Sequence, residues 1–423
     1  MHRALYTISS LLSSIAILLL GSGLLGTLLS LRASLEGWSG TVIGLFVSMY
    51  FLGFMVGTVL CPRLIRRAGH IRGFAVVAAL GSCTALVYGL WVEPVAWIVT
   101  RFVTGLCLVG IYMIIESWLN AQAANAIRGR IFATYMLVNL VFLALGQYLI
   151  LAGDIANLKL FAVAAMLFSL ALVPVALTRL PEPAPVTEVS LNLAELYREA
   201  PLGFMGALLA GLIGSAFWGL GPLYALQSGL SHEHIAQFMS AAILGGALLQ
   251  LPIGHYSDHH DRRSVLFLIS ALSALFAVIA LLIPRDSLLW PAPLMFLYGG
   301  VMFSIYPLSV ALANDLTPAG DNVETSGNLL MVYGAGALLG PLLAGVLMQW
   351  LGRNSLFGYF AACGALLAAF VQYRRWRVPA AELPEEKSPF VPMTRTTQVA
   401  IEGLAEAAAG DTGAEAGGGA GTA

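Results

Sequence analysis

Two ionisable residues lie inside long apolar stretches of this sequence, and they are the first candidates for chemistry. Arg101 begins the run RFVTGLCLVGIYMIIESWLN, and Glu116 lies near its end. A charged side chain is costly in hydrocarbon, so such residues predict a functional site. For Arg101 the alternative is a side chain that extends to the outer membrane surface. For Glu116 a coupling carboxylate or gate member competes with a helix-end ion pair to Arg128 or Arg130.

A diffuse set of aromatic and amide side chains lies in the same kind of apolar stretch. Six of them are our candidates for a substrate cavity: Tyr112, Trp218, Tyr224, Tyr306, Asn139 and Gln250. Gln147, Asn328 and Tyr333 share their character. Aromatic rings with a few amides suit a partly apolar, weakly charged solute. The alternative for each residue is helix packing or a place in the aromatic belt at the membrane surface.

No pattern in the sequence predicts an enzyme, a cofactor or a metal site. A Ser/His/Asp set, an HExxH pattern and a phosphate-binding Walker motif are all missing. The four cysteines lack the spacing of metal ligands. The net charge of −1 argues against a nucleic-acid partner.

The composition requires lipid as the main solvent. Of the 423 residues 59% are hydrophobic and only 10% are charged, whereas soluble domains carry about 25% charged residues. A helix needs about 20 apolar residues to cross a bilayer. We expect twelve spans, near residues 8–31, 40–60, 73–92, 95–117, 130–152, 158–178, 203–228, 234–254, 264–284, 291–313, 325–349 and 355–374.

A longer break separates the sixth and seventh spans. Residues 179–202 are proline-rich and then amphipathic, which predicts a cytoplasmic linker between two six-helix halves, residues 1–178 and 203–376. The tail, residues 377–423, ends in Gly, Ala and Glu and is predicted to be disordered. Lys and Arg are concentrated at the chain ends and in alternate loops, which predicts both termini on the cytoplasmic side of a bacterial inner membrane.

The two predicted halves resemble each other. A shift of 194 residues aligns Phe102, Gly105, Ile111, Tyr112, Asn120 and Gly146 with Phe296, Gly299, Ile305, Tyr306, Asn314 and Gly340. A shift of 192 aligns Ile43, Phe46, Ser48 and Gly53 with Ile235, Phe238, Ser240 and Gly245. Agreement on nearly one offset predicts an internal repeat. Two similar six-helix halves are typical of transporters whose substrate binds between them.

Three segments carry a resemblance to a known family. The segment LPIGHYSDHHDRRSV, residues 251–265, contains a helix-ending glycine, an aspartate four residues later and a basic pair: Gly254, Asp258, Arg262 and Arg263. The segments RFVTG and ESWLN, with RGR shortly after, lie in and beyond the fourth span. Over about residues 5–376 the chain resembles the major facilitator superfamily and, within it, a bacterial YcaD-like branch. The resemblance implies an all-α membrane protein with twelve transmembrane helices in two pseudo-symmetric halves.

In that superfamily spans 1, 4, 7 and 10 line the cavity, which favours the repeat mates Tyr112 and Tyr306. The resemblance also implies a proton-coupling or anion-facing role for Arg101. We therefore expect a monomeric secondary transporter of a small organic solute, working by alternating access, with proton coupling left open. Efflux of amphipathic compounds and a membrane sensor with the transporter fold are the alternatives. The antiport signature GxxxGP is absent from span five, where Gln147 follows Gly146, and this favours a metabolite.

The first-half copy of the motif departs from the family pattern, because Pro62 and Arg66 replace the glycine and the aspartate. In the superfamily the motif aspartate lies near the N-terminus of a helix in the other half, so Asp258 would meet Arg130. By the repeat, Arg66 would meet Glu324 with the charges exchanged. These pairs predict two cytoplasmic gates. The alternative is that all four are solvated loop charges.

Overall fold

The structure, a computed structural model, describes residues 2–122, 125–177, 183, 192–284, 290–317, 322–377 and 390. All the regular elements of these residues are helices. They are α1 (His2–Leu35), α2 (Gly40–Ala68), α3 (His70–Leu90), α4 (Pro94–Gln122), α5 (Asn125–Tyr148), α6 (Leu158–Leu170), α7 (Leu172–Ala176), α8 (Leu193–Glu199), α9 (Pro201–Gln227), α10 (His232–His259), α11 (Arg262–Leu282), α12 (Ala292–Leu316), α13 (Asn322–Leu351) and α14 (Ser355–Arg377), with a short 3-10 turn, Leu149–Ala152, after α5.

Within the part of the chain that the structure describes, twelve helical segments are long and apolar enough to cross a bilayer, which confirms the predicted number of spans. The sixth is α6 together with α7 and is broken at Ala171. Pro174 explains the break, because its ring clashes with the carbonyl of Leu170, four residues earlier, and it has no N–H to donate. The short helix α8 is the described part of the predicted linker, and residues 178–182 and 184–191 lie outside the described residues.

In the motif segment, residues 251–265, α10 ends later than the hydropathy pattern predicted. Gly254 was expected to end its helix, but α10 continues to His259, and Gly254 is buried within it. Gly254 does not have the positive φ that is typical of a glycine at a helix end. The ring of Phe390 occupies the space that a side chain at position 254 would need. Phe390 is the one residue of the predicted tail beyond Arg377 that the structure describes.

The helices pack as two similar halves. Within the first half α2 packs against α4, and α1 packs against α5 and α6. Within the second half the equivalent contacts are α10 with α12 and α9 with α13. Between the halves α2 packs against α13, α5 against α10, and α1 against α9. We call the end of the bundle that holds the start of α1 and the end of α14 the termini side, and the other end the far side.

The far-side turn before the second helix is the same in both halves. Gly37 has a φ of +73° and Gly229 a φ of +83°, in the region that glycine adopts without strain. Two residues later Ser39 and Ser231 cap α2 and α10, and each hydroxyl accepts a hydrogen bond from an N–H of the first turn. The internal repeat therefore extends to the local structure of a turn.

The aligned glycines of the repeat make the same interhelical contact twice. A Cβ at Gly53 of α2 would collide with the backbone oxygen of Phe102 on α4. A Cβ at Gly245 of α10 would collide with the backbone oxygen of Phe296 on α12. Gly53 and Gly245 are repeat mates, and so are Phe102 and Phe296. Small residues at such positions let helix backbones approach closely, which is how helices associate in lipid.

We expect Gly245→Ala to lower the melting temperature and the monodisperse yield of the detergent-purified protein, because the added methyl group has no room beside Phe296. Gly358→Ala is the control, since no other atom lies within 4 Å of the Cβ that this change adds to α14. The control should keep or slightly raise stability, because alanine is favoured over glycine within a helix by about 1 kcal/mol. Equal melting temperatures of Gly245→Ala and the wild type would contradict the packing described.

Candidate functional site

A central cavity of about 110 Å³ lies between the two halves. Its wall is built from α1, α2, α4, α5 and α6 of the first half and from α9, α10, α12 and α13 of the second. Seven residues singled out from the sequence contribute to this wall: Arg101, Tyr112, Asn139, Gln147, Trp218, Tyr306 and Tyr333.

One face of α4 supplies much of the cavity wall. Arg101, Thr104, Leu108 and Tyr112 all line the cavity, and their spacing of three and four residues places them on one side of a helix. At 1.5 Å per residue, Arg101 and Tyr112 are separated by about 16 Å along the helix axis. Arg101 is the residue nearer the far side.

Neighbours from the first half hold the guanidinium of Arg101 in the wall. Only 9% of Arg101 is exposed, and its guanidinium carbon lies 4.9 Å from the ring centre of Tyr50. The guanidinium also lies near the Tyr88 hydroxyl. Thr104 donates its only hydroxyl hydrogen to the carbonyl of Thr100, so Tyr88 donates to Thr104 at 2.7 Å, and its oxygen can act only as an acceptor toward Arg101. The cation therefore has a fixed place.

Four polar atoms in the wall are buried and have no described partner. They are Ser22 Oγ, Arg101 Nε, Asn139 Oδ1 and the Tyr306 hydroxyl. Buried polar groups are nearly always hydrogen-bonded, and each exception calls for an explanation. All four belong to residues of one cavity wall, so a ligand or water that enters the cavity can supply the missing partners.

Glu116 lies behind the cavity wall and is fully buried. Tyr135 donates its hydroxyl hydrogen to Glu116 Oε1 at 2.9 Å. Tyr135 also lies near the side chain of Asn139, which lines the cavity. Because the hydroxyl hydrogen of Tyr135 goes to Glu116, its oxygen can only accept, and the Asn139 amide is the group that can donate to it. The three side chains thus form a polar path from the carboxylate to the cavity wall.

The structure does not bring three of the other polar candidates to the cavity. Tyr224 is fully buried in an aromatic cluster, with its ring 4.7 Å from that of Phe357. Gln250 is 2% exposed and donates to the carbonyl of Phe303 at 3.0 Å. Asn328 accepts a hydrogen bond from the backbone N–H of Asn192, just before α8. These contacts are what the helix-packing alternative predicted.

Other residues of the site were not singled out from the sequence. Tyr50, Ser22 and Thr27 line the cavity, and Tyr88 positions Arg101. The spacing of Thr104 from Arg101 was a usable signal, because the two share a helix face. Tyr50 and Tyr88 carried no such signal, since their role depends on which helix packs beside α4.

Contacts between the halves join them on the far side of the cavity. Ser30 of α1 donates to the carbonyl of Gly219 on α9 at 2.6 Å. The hydroxyls of Tyr148, at the end of α5, and Ser240 on α10 lie 3.2 Å apart. Gly44 of α2 lies against the backbone of Pro341 on α13. All three contacts lie in the halves of these helices that face away from the termini.

On the termini side the motif segment is fixed by a buried arginine. Arg262 is 2% exposed and binds Asp315 at 2.8 Å, at the end of α12, and Asp258 at 2.6 Å. Asp261 caps α11. Although burial acts to raise the pKa of Asp261, hydrogen bonds from Ser264 and from the Arg263 N–H lower it below its usual value.

The helices that carry the predicted gates pack against each other. Arg66 lies in the last turn of α2 and Glu324 in the first turn of α13. Asp258 lies in the last turn of α10, and the exposed Arg130 lies near the start of α5. Asp258 accepts from Arg262 and, at 3.2 Å, from the backbone N–H of Phe390. The two gate pairs stay a prediction.

Comparison with known proteins decides the family. The model of the Major Facilitator Superfamily matches residues 11–327 and 203–405. The chain belongs to the major facilitator superfamily. A relative from Escherichia fergusonii, an uncharacterized MFS-type transporter YcaD, is 30% identical over 351 residues, which covers 82% of this chain and 90% of the relative. The same protein of Escherichia coli strain ATCC 8739 is 30% identical over 349 residues, with the same coverage.

Solved structures of this superfamily share the fold. The nucleoside transporter NupG superposes with a TM-score of 0.73 at 16% identity, over 88% of this chain and 99% of NupG. A bacterial homologue of the lysosomal transporter Spinster, in an inward-facing and unoccupied conformation, has a TM-score of 0.69 at 12% identity, over 96% and 97% of the two chains. The transporter FucP in an outward conformation has a TM-score of 0.55 at 14% identity, over 87% and 98%.

A cysteine pair tests the far-side closure. An ideal Cβ at Gly40 lies 3.5 Å from the Cβ of Met348, and disulfides span about 3.5–4.5 Å between Cβ atoms. The Cβ at Gly40 would also lie 2.7 Å from the oxygen of Gly345, so the start of α2 must shift slightly. We expect the double variant Gly40→Cys, Met348→Cys to form this disulfide in the membrane, as measured by mass spectrometry. The single variant Gly40→Cys controls for the crowding. A pair that stays reduced under oxidant would show that the far side is open.

Proposed function

We propose that this protein is a secondary transporter that moves a small organic solute across the bacterial inner membrane by alternating access. The observation that carries the proposal is a polar central cavity between two similar helical halves, closed on one side by contacts between those halves. Such a site can be exposed to each side in turn by a rocking motion of one half against the other.

The distribution of cations supports a cytoplasmic location for the termini side. Arg66 and Arg67 end α2, Arg262 and Arg263 begin α11, and α14 ends with Arg374, Arg375 and Arg377. Cytoplasmic loops carry an excess of Lys and Arg. The closed far side would then face the periplasm.

The cavity favours a metabolite over a large amphiphile. An engineered apolar cavity of about 150 Å³ holds one benzene molecule, and the cavity here is about 110 Å³. Its wall combines aromatic rings, such as Tyr112 and Trp218, with hydrogen-bonding groups. Such walls suit small solutes that are oriented by a few polar contacts.

The buried polar path from Glu116 to the cavity supports proton coupling. A carboxylate that is hydrogen-bonded to Tyr135 and lies near the cavity-lining Asn139 can gain or lose a proton as the cavity changes its exposure. The single-chain protein would act as a monomer, with the proton gradient as its energy source.

We expect solute gradients to drive proton movement in proteoliposomes that contain the wild type. The measurement is the fluorescence of a pH dye inside the vesicles, after addition of carboxylates, sugars or nucleosides outside. Glu116→Gln should retain solute exchange and lose proton movement at least tenfold, because the amide cannot release a proton. Glu93→Gln, which changes an exposed residue just before α4, is the control. Absence of any solute flux in the wild type would refute transport, and proton movement in Glu116→Gln would refute coupling at Glu116.

The proposed gate between Arg66 and Glu324 predicts a charge-swap rescue. Arg66→Glu and Glu324→Arg should each lower transport about two- to fivefold, as expected for a partly exposed ion pair of up to about 1 kcal/mol. The double variant should recover most of the loss in the same flux assay. The neighbouring change Arg67→Glu is the control, and Glu324→Arg should not rescue it. If the double variant loses as much transport as the two single changes combined, the pairing is excluded.

A further inference from the structure

The cavity contains a buried cation, Arg101, and the proposed transport function does not yet assign it a counterion. Arg101 is the one charged side chain among the described residues of the wall. In the described parts of the chain it forms no ion pair with Asp or Glu. A buried charge without a partner of opposite sign is strongly destabilising. The structure keeps Arg101 buried nonetheless, with only 9% of its surface exposed.

The described contacts of Arg101 position the guanidinium but do not neutralise it. Tyr50 offers the face of its ring, and Tyr88 offers a neutral hydroxyl oxygen that is itself fixed by Thr104. The Nε hydrogen remains without an acceptor. A planar guanidinium whose orientation is fixed in advance and which has a free donor suits a planar oxyanion such as a carboxylate.

The other unpartnered atoms of the wall determine which hydrogen-bond donors and acceptors a ligand must carry. The hydroxyls of Ser22 and Tyr306 can donate, and Asn139 Oδ1 can only accept. The amide group of Asn139 lies near Tyr135, as described above, and Oδ1 is the atom left without a partner. The ligand must therefore offer acceptors to the hydroxyls and one donor, such as O–H or N–H, to Asn139.

We propose that the transported solute is a small organic monoanion, whose carboxylate binds Arg101 and whose hydroxyl or amine group binds Asn139. This inference rests on the proposed transport function and names its substrate class. The cavity volume of about 110 Å³ limits the solute in this conformation to about the size of a single ring. Tyr112 and Trp218 supply apolar contact for the rest of the solute.

The test measures ligand-dependent thermal stabilisation of the full-length protein in detergent. The probes are lactate, benzoate and 4-hydroxybenzoate, each beside its primary amide, which keeps the shape and removes the charge. We expect at least one carboxylate to bind at least tenfold more tightly than its amide. Arg101→Gln should weaken that carboxylate about 10- to 100-fold, as expected for a hydrogen bond to a charged group. The affinity of Arg101→Lys for that carboxylate should lie between those of the wild type and Arg101→Gln, because lysine keeps the charge and loses the planar donors.

Two further variants make the result specific. Arg353→Gln changes an exposed arginine on the far side, whose described contact is with the carbonyl of Gln227, and should leave affinity unchanged. Asn139→Leu should abolish any preference for 4-hydroxybenzoate over benzoate.

Several outcomes would overturn the inference. They are amides that bind as tightly as the acids, a panel in which no carboxylate binds, and an Arg101→Gln variant with wild-type affinity. The proposed transport function would survive each of them if neutral solutes still move in the proteoliposome assay. It would fail separately if no solute moves there.

Discussion

The close approach of helix backbones is the interaction on which the rest of this protein depends. Lipid gives no hydrophobic drive for helices to associate, so packing at short range has to hold them together. Gly53 against Phe102 and Gly245 against Phe296 provide that packing once in each half. Because both halves use the same contact, each is a tightly packed unit, and motion is expected at the interface between them.

The far-side closure uses the same kind of contact as the packing within the halves. It combines small-residue contacts, such as Gly44 against Pro341, with the hydrogen bond from Ser30 to the Gly219 carbonyl. A net hydrogen bond contributes only about 1 kcal/mol. To pass from the closed to the open state, the backbones of α2 and α13 must therefore separate, and this separation is the larger part of the change. A solute that binds the two states with different affinity can then shift the population between them.

Hydropathy and the internal repeat predicted the architecture, because in a membrane each span must satisfy its own backbone hydrogen bonds. The repeat did more than predict symmetry, since the aligned residues Gly53 and Gly245 proved to make equivalent contacts. Hydropathy did not predict which face of a span lines the cavity. Tyr224 and Gln250 lie in packed regions, whereas Tyr50 beside Arg101 was missed. Whether these side chains reach the cavity depends on which helices pack beside them, and no local sequence pattern specifies that packing.

The cavity is symmetric in position and asymmetric in chemistry. Four pairs of repeat mates line the cavity with both members: Ser22 and Gly214, Leu108 and Met302, Tyr112 and Tyr306, and Asn139 and Tyr333. The mates of Arg101 and Glu116 are Met295 and Val310, so both ionisable groups belong to the first half. The neighbours that hold Arg101, Tyr50 and Tyr88, belong to that half as well. When the second half rocks, the surroundings of Arg101 can thus keep their geometry, while Trp218, Tyr306 and Tyr333 of the second half move. Access would change without disrupting the packing around Arg101.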